Sequence, residues 1–250
     1  MTFSVAVVGA TGRLGTVVRD VIGQMPDFVE GPLLSSGSQL GDMRGADLVV
    51  DVSLPHLSPD VVSFALENHQ KVLVGTSGWG ETRLESLRQQ VAQRPGSAVL
   101  VIPNFSVGSV VATYLSQVAA AFFESVEIVE THHEGKVDSP SGTAVRTAEE
   151  IARVRRSLGG VIAPHPNQSA RGQQVAGIPV HSLRLSGAVA HQDVHFGGVA
   201  ERLTISHDTS SSRAYRRGIE LALRRLVTLQ GLEVGLGAAL GIPSMGDSTS

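Results

Sequence analysis

The 250-residue chain contains no cysteine. That excludes disulfides, thiol nucleophiles and cysteine-based metal sites, and it fits a reducing compartment. Aromatics are scarce, with one Trp, two Tyr and seven Phe. No apolar run approaches the ~20 residues a membrane-spanning helix needs. Basic excess is missing too: 20 Lys and Arg against 23 Asp and Glu give a net charge of −3. With no aromatic-laced basic stripe, nucleic acid is not an expected partner. Residues 1–8 carry no early positive charge, so no signal peptide is expected there. These absences leave the compartment open and agree with the expectation of a cytoplasmic globular protein, long enough for one large or two medium cores, with no metal site expected.

What is present is concentrated in Glu130-Thr131-His132-His133-Glu134-Gly135-Lys136-Val137-Asp138-Ser139-Pro140-Ser141-Gly142-Thr143-Ala144. Residues 125–131 alternate as a strand, and from Ala144 a helix is predicted on the apolar positions Ala148, Ile151, Ala152 and Leu158, stopped at Gly159-Gly160. The polar cluster therefore falls on a strand-to-helix junction. Backbone N–H groups at a helix start, beside Lys136 and two imidazoles, suit a carboxylate or phosphate. Adjacent histidines on extended backbone point opposite ways, so one can protonate a substrate while the other binds it. A lone His-His pair is more often a wet surface turn; the whole string is not ordinary.

The chain opens with an apolar strand, Phe3 to Val8, then Gly9-Ala10-Thr11-Gly12-Arg13-Leu14-Gly15 and a helix carrying Val17, Val18, Val21 and Ile22. Strand, glycine turn and helix in that order form a dinucleotide site, because glycines permit the tight turn and close approach of a pyrophosphate. The spacing is Gly-x-x-Gly-x-x-Gly, which alone can be a merely tight turn. At the expected end of strand two, Leu33 or Leu34, no acid stands ready for a ribose 2′-hydroxyl; the sequence is Gly31-Pro32-Leu33-Leu34-Ser35-Ser36-Gly37. Arg13, Ser35 and Ser36 offer charge and donors to a 2′-phosphate, which favours NADPH, with NADH also open. Glu30 would reach the ribose only if strand two ended early.

The 130–144 string resembles the signature of the dihydrodipicolinate reductases, Glu-x-His-His-x-x-Lys-x-Asp-x-Pro-Ser-Gly-Thr-Ala, with every fixed position filled. The family has the same glycine-loop variant, with a basic residue where Arg13 stands. Asp51-Val52-Ser53-Leu54-Pro55 resembles its Asp-Phe-Thr/Ser-x-Pro, departing at Val52. Gly75-Thr76-Ser77-Gly78 resembles its nicotinamide loop Gly-Thr-Thr-Gly, and Ile102-Pro103-Asn104-Phe105-Ser106-Val107-Gly108 contains its Pro-Asn-Phe-Ser-x-Gly. Each follows a strand end, where open α/β sheets bind ligands. Arg184-Leu185-Ser186-Gly187 and Ala190-His191-Gln192 resemble two later stretches.

The expected fold is α/β: a Rossmann-type parallel-sheet domain (1–103 plus about 215–250) and a second α+β domain on a mixed or antiparallel sheet (104–214) for substrate binding and oligomerisation. Residues 35–45 replace one helix of the first domain with a glycine-rich link. In 175–185, 188–196 and 201–207 alternation predicts antiparallel strands and no further parallel unit. An amphipathic helix from Ala214 to Leu229 follows, and with Glu233-Val234 it is expected to return to the first domain. His181, His191, His195 and His207 read as hydrogen-bonded or solvated strand residues, and the arginines of 153–156 as a solvated helix face or at most part of an anion-attracting rim. Residues 161–172 form an unassigned polar loop, and 244–250 a disordered tail.

By resemblance, the chain reduces 4-hydroxy-tetrahydrodipicolinate, a small cyclic dicarboxylate, to tetrahydrodipicolinate with NADPH or NADH, as a homotetramer, in lysine and diaminopimelate biosynthesis. His132 and Lys136 then correspond to the catalytic acids. His133, Ser141, Gly142 and Thr143 correspond to substrate contacts. Gly9, Ala10, Thr11, Gly12, Arg13, Leu14, Gly75, Thr76, Ser77, Ile102, Pro103, Asn104 and Phe105 correspond to the cofactor site. The residues alone support a dinucleotide oxidoreductase with an anionic substrate. Two other readings are a different Rossmann dehydrogenase of amino-acid metabolism, with no reason to carry His-His-x-x-Lys, and a nonenzymatic dinucleotide sensor, with no need of a proton donor.

Overall fold

The computed structural model describes residues 2–243, so the tail expected at 244–250 lies outside the described residues. Two compact units emerge, Met1–Val107 with Ser212–Gly241 and a second centred on Gly108–Ser211.

In the first unit the apolar runs become strands β1 (Phe3–Val8), β2 (Phe28–Leu34), β3 (Leu48–Asp51), β4 (Lys71–Val74), β5 (Ala98–Val101) and β11 (Gly231–Val234). They form a six-stranded sheet in the order β11-β5-β4-β3-β1-β2, every neighbouring pair parallel. β3 and β5 are buried throughout and β4 at every residue but Lys71, as expected of strands covered on both faces. The covering helices are α1 (Arg13–Ile22), α2 (Ser58–Glu67), α3 (Glu81–Ala92) and α6 (Arg216–Thr228). From β1 the chain moves outward to β2 and then back to β3 on the other side. That reversal is the switch point where such sheets open a ligand crevice.

The β2–β3 link carries only a 3-10 turn, Leu40–Met43, where a helix would otherwise stand. α6 presents Ile219, Ala222, Leu223 and Leu226 inward. Its C-terminal carbonyls are capped from the sheet: Lys71 Nζ donates to Val227 O at 2.6 Å, Leu229 O at 3.0 Å and Leu226 O at 3.4 Å. A cation there also complements the helix dipole.

The second unit contains α4 (Val107–Ala120), β6 (Ser125–His132), α5 (Gly142–Arg155), β7 (Gln173–Val175), β8 (Ile178–Arg184), β9 (Ala190–Gly198) and β10 (Glu201–Thr209), with sheet order β10-β9-β6-β8-β7. β6 alternates buried and half-buried positions, so one face packs against helices. Val126, Ile128, Val194 and Phe196 from that face form a core with Ala144, Ala148 and Ile151 of α5.

Three expectations are corrected here. β6 and β8 pair in parallel, Ile128 opposite Val180 through His132 opposite Arg184, so a βαβ crossover through α5 does exist. Alternation reports which face is buried and is silent on strand direction. The stretch expected as one strand from Val175 is a hairpin, β7 and β8, turned at Ala176 (φ 51°) and Gly177 (φ 84°), both in the left-handed region that tight hairpins require. Arg155 is 6% exposed rather than solvated. It donates to the carbonyls of Ala120, Phe123 and Gly159 and closes the end of the α4–β6 connection.

The unassigned 161–172 loop is anchored at both ends, by Ile162 N to Glu124 O and by Arg171, which contacts Glu127 at 2.5 Å. Glu127 also accepts from His181, while His191 pairs with Asp193 and Asp208, and His195 meets Thr204. These histidines are partnered strand residues, as their isolation in sequence suggested.

Candidate active site

At the C-terminal edge of the first sheet, the loops singled out in the sequence converge. Gly9 has φ +88°, and a Cβ there would lie 2.5 Å from Val52 O. A Cβ at Gly15 would meet Gly9 O at 2.1 Å, so α1 packs directly on the turn and only glycine fits both positions. α1 begins at Gly12 with no side-chain cap and no acid in its first turn. Its leading N–H groups and positive dipole end suit a pyrophosphate. Ala10 is buried beneath, while Thr11, Gly12 and Arg13 are exposed above.

Asp51 organises the neighbouring loops, a role the sequence did not reveal. Its buried carboxylate accepts from Ser53 N at 3.1 Å, Ser53 Oγ at 2.5 Å and Ser58 Oγ. Its carbonyl accepts from Gly75 N at 2.8 Å and Thr76 Oγ1 at 3.3 Å. The Phe105 ring lies against Gly75, where a Cβ would come within 2.6 Å of it. Ile102 N bonds to Val74 O at 2.7 Å, and Asn104 Oδ1 accepts from Ser106 N at 2.8 Å. Ser77 is exposed beyond them. β2 runs to Leu34, and Glu30, back in its middle, is held by Arg19 at 2.8 Å. The alternative in which Glu30 ends the strand is thereby removed.

In the second unit, His132 ends β6 half-buried, whereas His133, just past the strand, is exposed. His132 Nδ1 lies 2.6 Å from Glu130 Oε2. Glu130 is wholly buried and also accepts from Arg184 Nη1 at 2.9 Å, Arg184 Nη2 at 3.0 Å and Ser141 N at 3.1 Å. Burial pushes the Glu130 carboxyl up, but donors from Arg184, Ser182 and His132 outweigh it and hold it below the usual carboxylate value. Burial pushes His132 down; Glu130 opposes this, while Lys136 and Arg184 add to it, leaving the ring below its ordinary value. With Glu130 ionised, Nδ1 carries the proton and Nε2 is the exchangeable position.

Lys136 Nζ bonds to Asp138 Oδ1 at 2.7 Å, and Lys136 N to His133 O at 3.1 Å. Lys136 holds the Asp138 carboxyl low. Arg184 Nη2 reaches Asp138 O at 2.6 Å, fastening this loop to β8.

Ser141 caps α5, its Oγ accepting from Ala144 N at 3.2 Å. Because Ser141 N–H is already given to Glu130, the cradle expected over Ser141, Gly142 and Thr143 narrows to Gly142 and Thr143. A Cβ at Gly142 would meet nothing within 4 Å, so space stands open there. Glu130 and Arg184 were missed as partners because they lie 54 residues apart. The available signal was the two-residue spacing of Glu130 and His132, which puts both on one face of a strand.

The description "Dihydrodipicolinate reductase, N-terminus" matches residues 3–105, and "Dihydrodipicolinate reductase, C-terminus" matches residues 108–236. The chain belongs to the dihydrodipicolinate reductase family. It is 54% identical to a 4-hydroxy-tetrahydrodipicolinate reductase of Clavibacter sepedonicus over 94% of this chain and 85% of that one. It is 41% identical to the enzyme of that name from Cutibacterium acnes over 95% and 98%. A dipicolinate-bound dihydrodipicolinate reductase from Paenisporosarcina sp. TG-14 superposes with a TM-score of 0.80 at 28% identity, covering 95% and 99%. Family membership implies a nicotinamide dinucleotide cofactor. It excludes a different Rossmann dehydrogenase of amino-acid metabolism as the reading of this chain. Among the described residues no helix is long and apolar enough to cross a membrane, and no group of three or more His, Cys, Asp or Glu is placed to hold a metal.

Proposed function

We propose that the chain catalyses the NAD(P)H-dependent reduction of 4-hydroxy-tetrahydrodipicolinate to tetrahydrodipicolinate, the reduction step of lysine and diaminopimelate biosynthesis. The observation that carries this reading is the contact of His132 with buried Glu130 beside Lys136 and the start of α5, in a chain of this family. The Paenisporosarcina relative was solved with dipicolinate, a planar dicarboxylate, which supports the substrate class.

The dinucleotide fits the first unit: the first-turn N–H groups of α1, from Arg13 onward, would hold the pyrophosphate, since Gly12 N–H is given to Gly9 O, and Gly75–Ser77 with Ile102–Phe105 would flank the nicotinamide. When bound, the cofactor supplies a hydride. The balance is one hydride and one proton gained, with the 4-hydroxyl lost as water. Gly142 and Thr143 hold one substrate carboxylate at the α5 N-terminus, and exposed His133 assists. As negative charge builds on the conjugated ring, His132 gives it a proton from Nε2, because Nδ1 is committed to Glu130. Lys136 serves as second acid or fixed countercharge. The lowered His132 pKa means a proton must be gained first, and a bound dianion beside the ring favours that gain.

NADPH is the favoured cofactor in this proposal. Arg13 is exposed at the phosphate loop, and Glu30 is neutralised by Arg19. A cytoplasmic homotetramer assembled through the second unit is proposed from the family resemblance. Steady NAD(P)H oxidation on adding 4-hydroxy-tetrahydrodipicolinate tests the activity. No oxidation with either cofactor would refute it.

A further inference from the structure

Glu130 does more than fill space. It lies two residues before His132 on β6, so both side chains share a face of the strand. Arg184 Nη2 and Ser141 N donate to Oε1, His132 Nδ1 and Arg184 Nη1 to Oε2, and the Ser182 side chain is a further donor. Burying a carboxylate is costly even when it is fully paired, and apolar side chains of similar volume would often fill such a place at no loss of stability. Stability alone therefore does not account for the Glu130–Arg184 pair. What the pair holds is informative: the ring of His132, the first residue of the α5 cap and, through Arg184 Nη2 to Asp138 O, the loop carrying Lys136.

We propose that Glu130 is a positioning residue for the reaction: clamped by Arg184 and Ser141 N–H, it fixes the His132 ring with Nδ1–H inward and Nε2 outward, and stabilises the imidazolium that protonates the substrate. The proposal rests on His132 being the proton donor. The charged groups around the ring are Glu130 on its own strand, Arg184 on β8, and Lys136 with Asp138 on the following loop. Lys136 and Arg184 oppose protonation of the ring, and Glu130 is the anion in direct contact. A carboxylate behind an imidazole selects the tautomer and supports the charged form. Arg184 holds that carboxylate ionised, and Ser141 N–H fixes its position relative to the substrate cradle.

The test uses Glu130→Gln in the full chain. First, the His132 ring is titrated by NMR in the ligand-free protein, its signal assigned by its loss in His132→Ala. The midpoint moves to lower pH in Glu130→Gln, because the support of Glu130 is gone while Lys136 and Arg184 remain. Second, turnover falls about 10- to 100-fold, the scale seen when a residue orienting a functional imidazole is removed, with a smaller change in KM. Third, in a His132→Ala background the same substitution causes no further loss, since the two act as one unit. Should Glu130→Gln fold poorly with Arg184 unpaired, Glu130→Gln with Arg184→Met removes the charges together; because Arg184 also opposes ring protonation, that variant is judged by its turnover in the two backgrounds and not by the midpoint. An unmoved midpoint, or an equal loss of turnover in both backgrounds, overturns the proposal. Inactivity of the unmodified chain would overturn the catalytic reading instead, and the ring titration would still decide whether Glu130 governs His132.

Discussion

Ser141 gives its backbone N–H to Glu130 Oε1 at 3.1 Å, while its hydroxyl caps α5 through Ala144 N at 3.2 Å. One small residue thus fastens the start of α5, where the substrate cradle is proposed, to the strand that presents His132. Movement of either shifts both, which makes the geometry of acid and cradle a single variable.

Loss of the acids should be severe. His132→Ala and Lys136→Ala are each expected to lower turnover by about two orders of magnitude, the usual scale for removal of a general acid. Affinity for NADPH, measured by calorimetry without substrate, stays near that of the unmodified chain. Near-normal turnover in both variants would show that the proton comes from elsewhere.

NADPH should bind at least as tightly as NADH at low salt, and the advantage should shrink in Arg13→Ala, where a guanidinium facing the 2′-phosphate is lost. Calorimetric titration with both dinucleotides at two salt concentrations measures this. A clear NADH preference that survives Arg13→Ala would place the ribose reader elsewhere.

Pyridine-2,6-dicarboxylate should inhibit competitively against the substrate, and a monocarboxylate analogue far less. Since a Cβ at Gly142 meets nothing within 4 Å, Gly142→Val leaves the fold intact and crowds only an incoming ligand. Inhibitor affinity should drop in Gly142→Val, and in Thr143→Val by about 1–3 kcal/mol through the lost hydroxyl. Unchanged inhibition constants in both variants would remove the cradle from this helix start.

Arg155→Met should destabilise the second unit by about 2–4 kcal/mol, because the carbonyls of Ala120, Phe123 and Gly159 lose a charged donor in a largely buried place. Denaturant unfolding reads the change. A loss comparable with Arg156→Met, a substitution outside this bond set, would contradict the role of Arg155.

Stability should fall on acidification. Glu127, Glu130, Asp138 and Asp193 are held below their ordinary values, so each contributes stability that is present above the unfolded value, near 4.5 for Glu and 3.8 for Asp, and is lost as pH drops through the folded value. His132 and His207 are also lowered, by burial first, so unfolding takes up protons at these sites already below 6.5. His191, raised by Asp193 and Asp208 against its burial, works in the opposite sense. Melting temperature should therefore decline from about pH 6.5 downward, and Glu127→Gln should flatten the steeper, more acid part of the curve. A flat profile from neutrality to pH 4 would defeat this account.

Local features were legible in the sequence: Gly9 and Gly15 because no other residue fits the turn, and the β6–α5 junction because its residues are contiguous. Long-range relations were not. Alternation in residues 175–185 marked a half-buried strand, yet nothing in it distinguishes parallel pairing with β6 from antiparallel pairing, and the Glu130–Arg184 bond depends on that choice. Arg155 was readable and misread: Ala144, Ala148, Ile151 and Arg155 follow the three- and four-residue spacing of one helix face, so its charge argued for solvent while its position argued for the core. The Asp51 bonds to Ser53 and Ser58 depend on the path of the loop after β3, which composition does not encode.

The cap on α6 has a chemical consequence. The sequence holds two lysines, Lys71 and Lys136. Lys71 spends its ammonium group on three helix carbonyls and is pushed toward the neutral amine by burial alone, whereas Lys136 has one bond, to an exposed aspartate. Both lysines are partly buried, and only the one bonded by a single aspartate sits beside the proposed proton donor. Acylation of Lys136 by an amine-directed reagent, followed by peptide mapping and slowed by a bound dicarboxylate, would give a covalent readout of site occupancy that needs neither turnover nor cofactor.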